Sequence, residues 1–261
     1  MNADKGLGIH DANPSWNRLT RRRSTQEIFV MVKWLKKALL GVVVFVPVYL
    51  LLVFFWANAV VDELLAQGPY RGQATLLQPR HVKVLLRIED PTFHEHRGWD
   101  LSNGQGVTTI TSILARDLFL GGHDAGGIQG AMQSFYRSVF NCCKRIDLGR
   151  DVMSLVLDAH TTKQQQLDAY VKTAYFGSLD GRGVIGFEAA ARAYCGKELS
   201  QVTDDDFYGL MAMPIAPNRY HPVRHPEVHA ERAKRIAALA AGKCEPSGWL
   251  DLTYDDCADF E

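Results

Sequence analysis

Between Ala38 and Val61 the chain runs for 24 residues without a charge, ALLGVVVFVPVYLLLVFFWANAVV, and no other stretch limits its possible folds as much. About 20 apolar residues span a bilayer core as a helix, because every backbone polar group there must be bonded within the segment. Residues 38–61 therefore read as one transmembrane helix. Pro47 falls mid-span, where a kink is expected rather than an end. Trp34 and Trp56 stand near the two interfaces, which favour amphipathic rings. A cleaved signal would have a shorter apolar region, about 7 to 15 residues, nearer the N-terminus. A buried core helix of this length rarely lacks any charge.

Charge orients the segment. Residues 1–37 carry Lys5, Arg18, Arg21, Arg22, Arg23, Lys33, Lys36 and Lys37 against Asp4, Asp11 and Glu27, a net +5. Asp62 and Glu63 open the other flank. Basic residues stay on the cytoplasmic side, so 1–37 reads as a flexible cytoplasmic tail and everything after Val61 as lying outside. The formal net charge of the whole chain is zero, which leaves −5 beyond the basic flank. A nucleic-acid binder would carry a domain-wide basic excess, so no nucleic-acid partner is expected.

Residues 62–77 read as a connector containing Gly68, Pro69 and Gly72. Helical periodicity then dominates, and few stretches alternate like strands. Helices are expected over 81–89, 109–119, 151–159, 163–176, 187–195, 207–213 and 226–241. Pro91 discourages the first from continuing through Asp90. Gly196 and Gly242 are natural stops. Thr203 with Asp206 resembles a capping box. The glycine-rich GGHDAGG opens what reads as a long loop over 121–150. The acidic tail 243–261 shows no clear element. The outer part is thus mainly α, with one domain over 78–242.

Chemistry concentrates in residues 89–100, EDPTFHEHRGWD, which hold four carboxylates and two histidines. His94 and His96 flank Glu95, but no third ligand stands at a metal-binding spacing, so no protein metal site is expected. The segment resembles the first motif of glycosyltransferase family 51, the peptidoglycan glycosyltransferases, EDxxFxxHxG-apolar-D, through Glu89, Asp90, Phe93, His96, Gly98 and Asp100. GVTTITSILARDLFL (106–120) is similar to that family's GGSTITQQLxKNLFL. KQQQLDAYVKTAYFG resembles KxxILExYLNxxYFG, GVIGFEAAARAYCGK resembles GxxGxxxAAxxYFGK, and PIAPNRYHP resembles PxxPxxYNP. The motifs keep their order over about 78–241. The resemblance implies a lysozyme-like helical fold, a single-pass inner-membrane anchor, and lipid II and the nascent glycan strand as substrates. Other cell-wall synthesis proteins are expected partners. A chain of this length resembles the monofunctional members, leaving no room for a transpeptidase domain.

In such a reaction an acceptor sugar hydroxyl attacks C1 of the donor, and a polyprenyl pyrophosphate leaves. A hydroxyl is a weak nucleophile, so a carboxylate must take its proton. By resemblance that base is Glu89, while Asp90 organises the motif. The departing pyrophosphate needs cations, and Mg²⁺ travelling with it is the expected cofactor. Arg116 matches the family's pyrophosphate-contacting Lys, and its fork suits phosphate. Phe93, His96, Thr109 and Thr111 fit positions lining the substrate site. Lys163 and Glu188 divide between substrate binding and ordinary helix-start or core-edge roles.

The third family motif, RKxxE, fails. Counting back from Lys163, its Glu falls on Arg150, and its Arg and Lys fall on Ile146 and Asp147. The nearest basic pair is Lys144 and Arg145. Asp151 lies one residue from the expected Glu and could replace it, with Arg150 taking cation duty. Three readings follow: an active transferase, a lipid II-binding or glycan-binding scaffold without catalysis, and a glycan-cleaving hydrolase using one carboxylic acid.

Five cysteines are too few for a disulfide-built scaffold. Cys244 with Cys257 is the simplest local pair in an oxidising exterior. Cys195 reads as a small buried residue rather than a nucleophile, and none has zinc spacing.

Overall fold

A computed structural model describes residues 14–70, 77–100, 108–142, 148–248 and 251–258. Residues 1–13, connector residues 71–76, and the segment holding Lys144, Arg145, Ile146 and Asp147 lie outside the described residues, as does Cys143. Two compact units divide the chain, Met1–Tyr49 and Leu50–Glu261.

Pro14–Gln67 form one helix, α1, which continues through Pro47. Residues 14–37, expected as irregular tail, are therefore helical, and so are connector residues 62–67. In the first unit the apolar side chains of α1 stand exposed, from Phe29 through Val48. Lys33 lies over the Phe29 ring and Lys37 over Trp34, so their aliphatic stems line apolar surface while the ammonium groups stay outside it. Phe29–Gln67 is long and apolar enough to cross a membrane.

The end of the uncharged run is used differently. Val53, Trp56, Ala57, Val60, Val61 and Leu64 are at most 3% exposed and recur at helical spacing. This stripe is part of the second unit's core. Trp56 is consequently no membrane-interface anchor. Its indole N–H donates to the Gln129 carbonyl (3.1 Å), and its ring packs 4.9 Å from Tyr136 and 5.9 Å from Phe119. A buried indole needs such an acceptor, and the domain supplies it.

The second unit is mainly helical. Its helices are α2 (Pro79–Glu89), α3 (Ile110–Ala115), α4 (Gly127–Cys142), α5 (Leu148–His160), α6 (Lys163–Thr173), α7 (Phe187–Ala190), α8 (Asp204–Met211) and α9 (Pro226–Ala240). Two of them widen into π turns, α3 into Arg116–Leu120 and α7 into Ala191–Cys195. Leu85, Ile110, Phe187, Phe207, Leu64 and Ile236 are fully enclosed. Each such side chain contributes about 1.5–3 kcal/mol by leaving water. Capping boxes open three helices: Thr109 with Ser112, Thr162 with Gln165, and Thr203 with Asp206. The last is the one its spacing suggests.

Three expectations are corrected. The 121–150 segment is not one long loop, because α4 occupies 127–142. Ile128, Met132, Phe135, Tyr136 and Val139 have helical spacing, which the preceding glycines mask in the sequence. Buried Gln133 fastens the short loop before α4: its Nε2 donates to the Phe119 and His123 carbonyls (2.8 Å each), and its Oε1 accepts from Ala125 N (3.0 Å). Second, the helix expected over 163–176 stops at Thr173, and a hairpin follows. Tyr175–Leu179 (β1) and Arg182–Ile185 (β2) pair antiparallel, with Leu179 opposite Arg182 and Ser178 opposite Gly183. The turn residues Asp180 (φ 52°) and Gly181 (φ 77°) both take the left-handed region that a tight hairpin demands.

Third, the acidic tail is not featureless. A disulfide joins Cys244 to Cys257, as their proximity in sequence suggests. A 3₁₀ turn covers Asp255–Cys257, and Tyr254 before it is 2% exposed. Cys195 is free and half-buried, and burial raises its thiol pKa.

Candidate active site

Pro79 starts α2 with the one residue whose missing N–H costs nothing at a first turn. This helix of 11 residues ends on Glu89, with Asp90 as its C-cap. The Glu89 carboxyl is part-buried at a rigid helix end. Burial pushes it up to about 7, opposed by a hydrogen bond from Tyr170 and the positive charge of Arg232, and assisted by the negative charge of Asp90. A carboxyl poised near neutrality can hold or take a proton with little bias.

Asp90 is fully buried and fully used. One oxygen pairs with His96 Nε2 (2.8 Å), and the other accepts from the Ile110 N–H at the start of α3 (2.9 Å). Its charge also suits a helix N-terminus. Asp90 therefore ties the loop after α2 to the start of α3.

The rest of the 89–100 loop is similarly explained by its bonds. His96 Nδ1 accepts from Gly98 N (3.0 Å), and Thr92 donates to Asp100. Gly98 has φ +105°, and a Cβ there would stand 2.8 Å from the Ser154 carbonyl oxygen of α5. Only glycine fits. The Gly98 carbonyl in turn accepts from Thr109 Oγ1 (2.9 Å) and Ser154 Oγ (3.0 Å), joining loop, α3 and α5 at one atom.

The residues expected to line the substrate site also make contacts within the fold. Phe93 is 1% exposed and lies under the Lys163 ammonium, 4.7 Å from its ring centre. His96 is closed off by Asp90. Thr109 is spent on capping α3 and on Gly98. Thr111 donates to Gln166 Oε1 (2.6 Å), while Gln166 Nε2 donates to Asp158 (2.9 Å) and to Thr161 Oγ1 (3.1 Å). Asp158 also pairs with Lys163 (2.8 Å). This chain locks α3, α5 and α6 together. Buried polar groups need such partners, and here Thr111, Gln166 and Asp158 find them within the fold. Lys163 braces the same network through Asp158.

Arg116 is different. It opens the π turn after α3, and its side chain is 44% exposed, paired only with its neighbour Asp117 (3.1 Å) among the described contacts. π turns interrupt helices most often at functional sites. Arg150 and Asp151 pair with each other in the first turn of α5 (3.1 Å), 14% and 24% exposed. The candidate second carboxylate is thus held by the arginine standing where the family motif expects Glu. Ser154, one turn on, links this pair to Gly98. Glu188 lies elsewhere, on an exposed cluster with Arg192 (2.8 Å), which also binds Glu198 (2.7 Å). Burial and a hydrogen bond with Glu198 raise Glu188, and Arg192 holds Glu198 down. No described contact joins Glu188 to Glu89.

Three residues near Glu89 escaped the sequence reading. Tyr170 sits in a quoted motif, but its hydrogen bond to Glu89 is a tertiary contact. Arg232 is 3% exposed on α9, with Nε donating to the Ala212 carbonyl (3.2 Å) and Nη1 to the Leu252 carbonyl (2.7 Å). Tyr254 donates to the Ile88 carbonyl (3.2 Å). No spacing rule connects positions this far apart.

Comparison with known proteins gives the family. A family model described as Transglycosylase matches residues 73–241. The chain belongs to that family, and its helical domain is the lysozyme-like transglycosylase domain. Among similar curated proteins are penicillin-binding protein 1F of Bacillus subtilis, 31% identical over 62% of this chain and 22% of that protein, and penicillin-binding protein 1A of Streptococcus oralis, 31% identical over 70% and 28%. Penicillin-binding protein 1B of Escherichia coli is 27% identical over 64% and 20%. The chain thus spans about a quarter of the length of the curated relatives it matches.

Proposed function

We propose that this protein polymerises peptidoglycan glycan strands from lipid II, with Glu89 as general base. The observation that carries this is a carboxyl at a fixed helix end, hydrogen-bonded by Tyr170 and ionising near neutrality, within a transglycosylase-family domain. The acceptor hydroxyl gives its proton to Glu89 as its oxygen bonds to C1 of the donor. The C1–O bond to pyrophosphate breaks, and the pyrophosphate keeps the electron pair. Arg116, exposed on its π turn, neutralises part of that charge. Mg²⁺ bound to the pyrophosphate would supply further neutralisation. Such an ion would travel with the substrate pyrophosphate.

The apolar helix anchors the domain in the inner membrane by a single pass, with the N-terminus cytoplasmic and the domain outside, where lipid II, the growing strand and other cell-wall synthesis proteins meet it. The Arg150–Asp151 pair supports a second reading, a protein that binds lipid II without transferring sugar, because it neutralises the candidate second carboxylate. Incubation with lipid II in detergent separates the two: a transferase releases polyprenyl pyrophosphate and makes polymer, and a scaffold binds without release.

A further inference from the structure

The family match ends at residue 241, yet the chain beyond it reaches the back of Glu89. Tyr254 is buried, and its hydroxyl donates to the carbonyl of Ile88, the residue before Glu89. The same tail offers the Leu252 carbonyl to Arg232, whose guanidinium lies 5.3 Å from the Tyr254 ring and 4.8 Å from Tyr220. Tyr254 takes φ +54°, a backbone state a bulky side chain rarely adopts, and Asp251 Oδ1 holds it there by accepting from its N–H (2.9 Å). Strain of this kind persists only where surrounding structure enforces it, and it gathers at functional sites. The Cys244–Cys257 disulfide closes the tail over this insertion.

We propose that the tail segment 251–258, held by the Cys244–Cys257 disulfide, is a positioning element for Glu89, acting through Tyr254 and through Arg232. The proposal rests on the reading of Glu89 as general base. The groups facing Glu89 are Tyr170 from α6, Arg232 from α9, Asp90 beside it and Tyr254 from the tail. Two effects of the tail oppose each other. Its ring excludes water from Glu89, which favours the protonated carboxyl, and it steadies Arg232, which favours the carboxylate. In the proposal the exclusion of water is the larger of the two, so loss of the tail lets the carboxyl ionise at lower pH. It also frees the end of α2 to move, and a misplaced base slows proton removal without weakening substrate binding.

The test uses the full chain in detergent. Glu89 is titrated by infrared difference spectroscopy against Glu89→Gln, and lipid II kinetics are measured on the same samples. Tyr254→Ala and the double variant Cys244→Ser/Cys257→Ser should lower the Glu89 midpoint by about one pH unit, a tenfold change in its ionisation constant. In both, kcat should fall about tenfold with KM unchanged, and the acid limb should move with the midpoint. Tyr254→Phe keeps the ring and should hold the midpoint near its wild-type value. Circular dichroism confirms folding, and the double-serine variant carries the comparison if the alanine variant does not fold. A tail that only stabilises would lower the melting temperature and leave midpoint and acid limb in place, which would overturn the proposal. A wild type that makes no polymer, or a Glu89→Gln variant that still does, sinks the base assignment instead, while the titration still decides the tail.

Discussion

Glu89 owes its chemistry to where α2 stops. Proline at 91 ends the helix, Asp90 is consumed by His96 and the start of α3, and the Glu89 carboxyl is left among Tyr170, Arg232 and Tyr254. Its folded-state pKa is raised to about 7, so the basic form is lost as pH falls through that value. Turnover should therefore show an acid limb near pH 7, about tenfold slower for each unit below it. A flat rate between pH 5 and 8 would separate Glu89 from the chemistry. Gly98 carries a different prediction. Gly98→Ala places a methyl against the Ser154 carbonyl in a left-handed backbone state, and should cost about 2–4 kcal/mol in a denaturation measurement.

Between elements, polar side chains set the geometry that the apolar pattern alone leaves open. Thr111, Gln166, Asp158 and Lys163 lock α3, α5 and α6, and Gln133 fastens the loop that precedes α4. Gln133→Leu keeps the volume but strands the Ala125 N–H, and should cost about 1–3 kcal/mol with faster amide exchange at Ala125. The apolar run, most helices and the Thr203 cap were legible because periodicity and capping are local. The β1–β2 hairpin announced itself through Asp180-Gly181 but was outweighed by the helical rhythm around it. Helix α4 was hidden by glycines that shape only its approach. Phe93, Thr109 and Thr111 illustrate a deeper limit. A motif marks residues that matter near a site, and burial alone tells which of them hold the site together and which face the substrate. Tyr170, Arg232 and Tyr254 reach Glu89 only through tertiary packing, which no local pattern encodes.

At the scale of the whole molecule, α1 has two neighbourhoods. Its side chains from Phe29 to Val48 are exposed and suited to lipid, and the stripe from Val53 to Leu64 belongs to the core of the second unit. If the basic flank sets orientation, protease added to spheroplasts should degrade the domain and spare the N-terminal segment, and the reverse pattern would overturn the topology. The zero net charge thus averages a basic flank and an acidic remainder. The central claim is that this domain transfers sugar with Glu89 as its base. Polymerisation of lipid II in detergent by wild type and Glu89→Gln tests it most directly. The account predicts glycan polymer and released polyprenyl pyrophosphate from the wild type, and a loss of about 10²–10⁴-fold in the variant. Equal polymerisation by both, or lipid II bound by a wild type that makes no polymer, would contradict it.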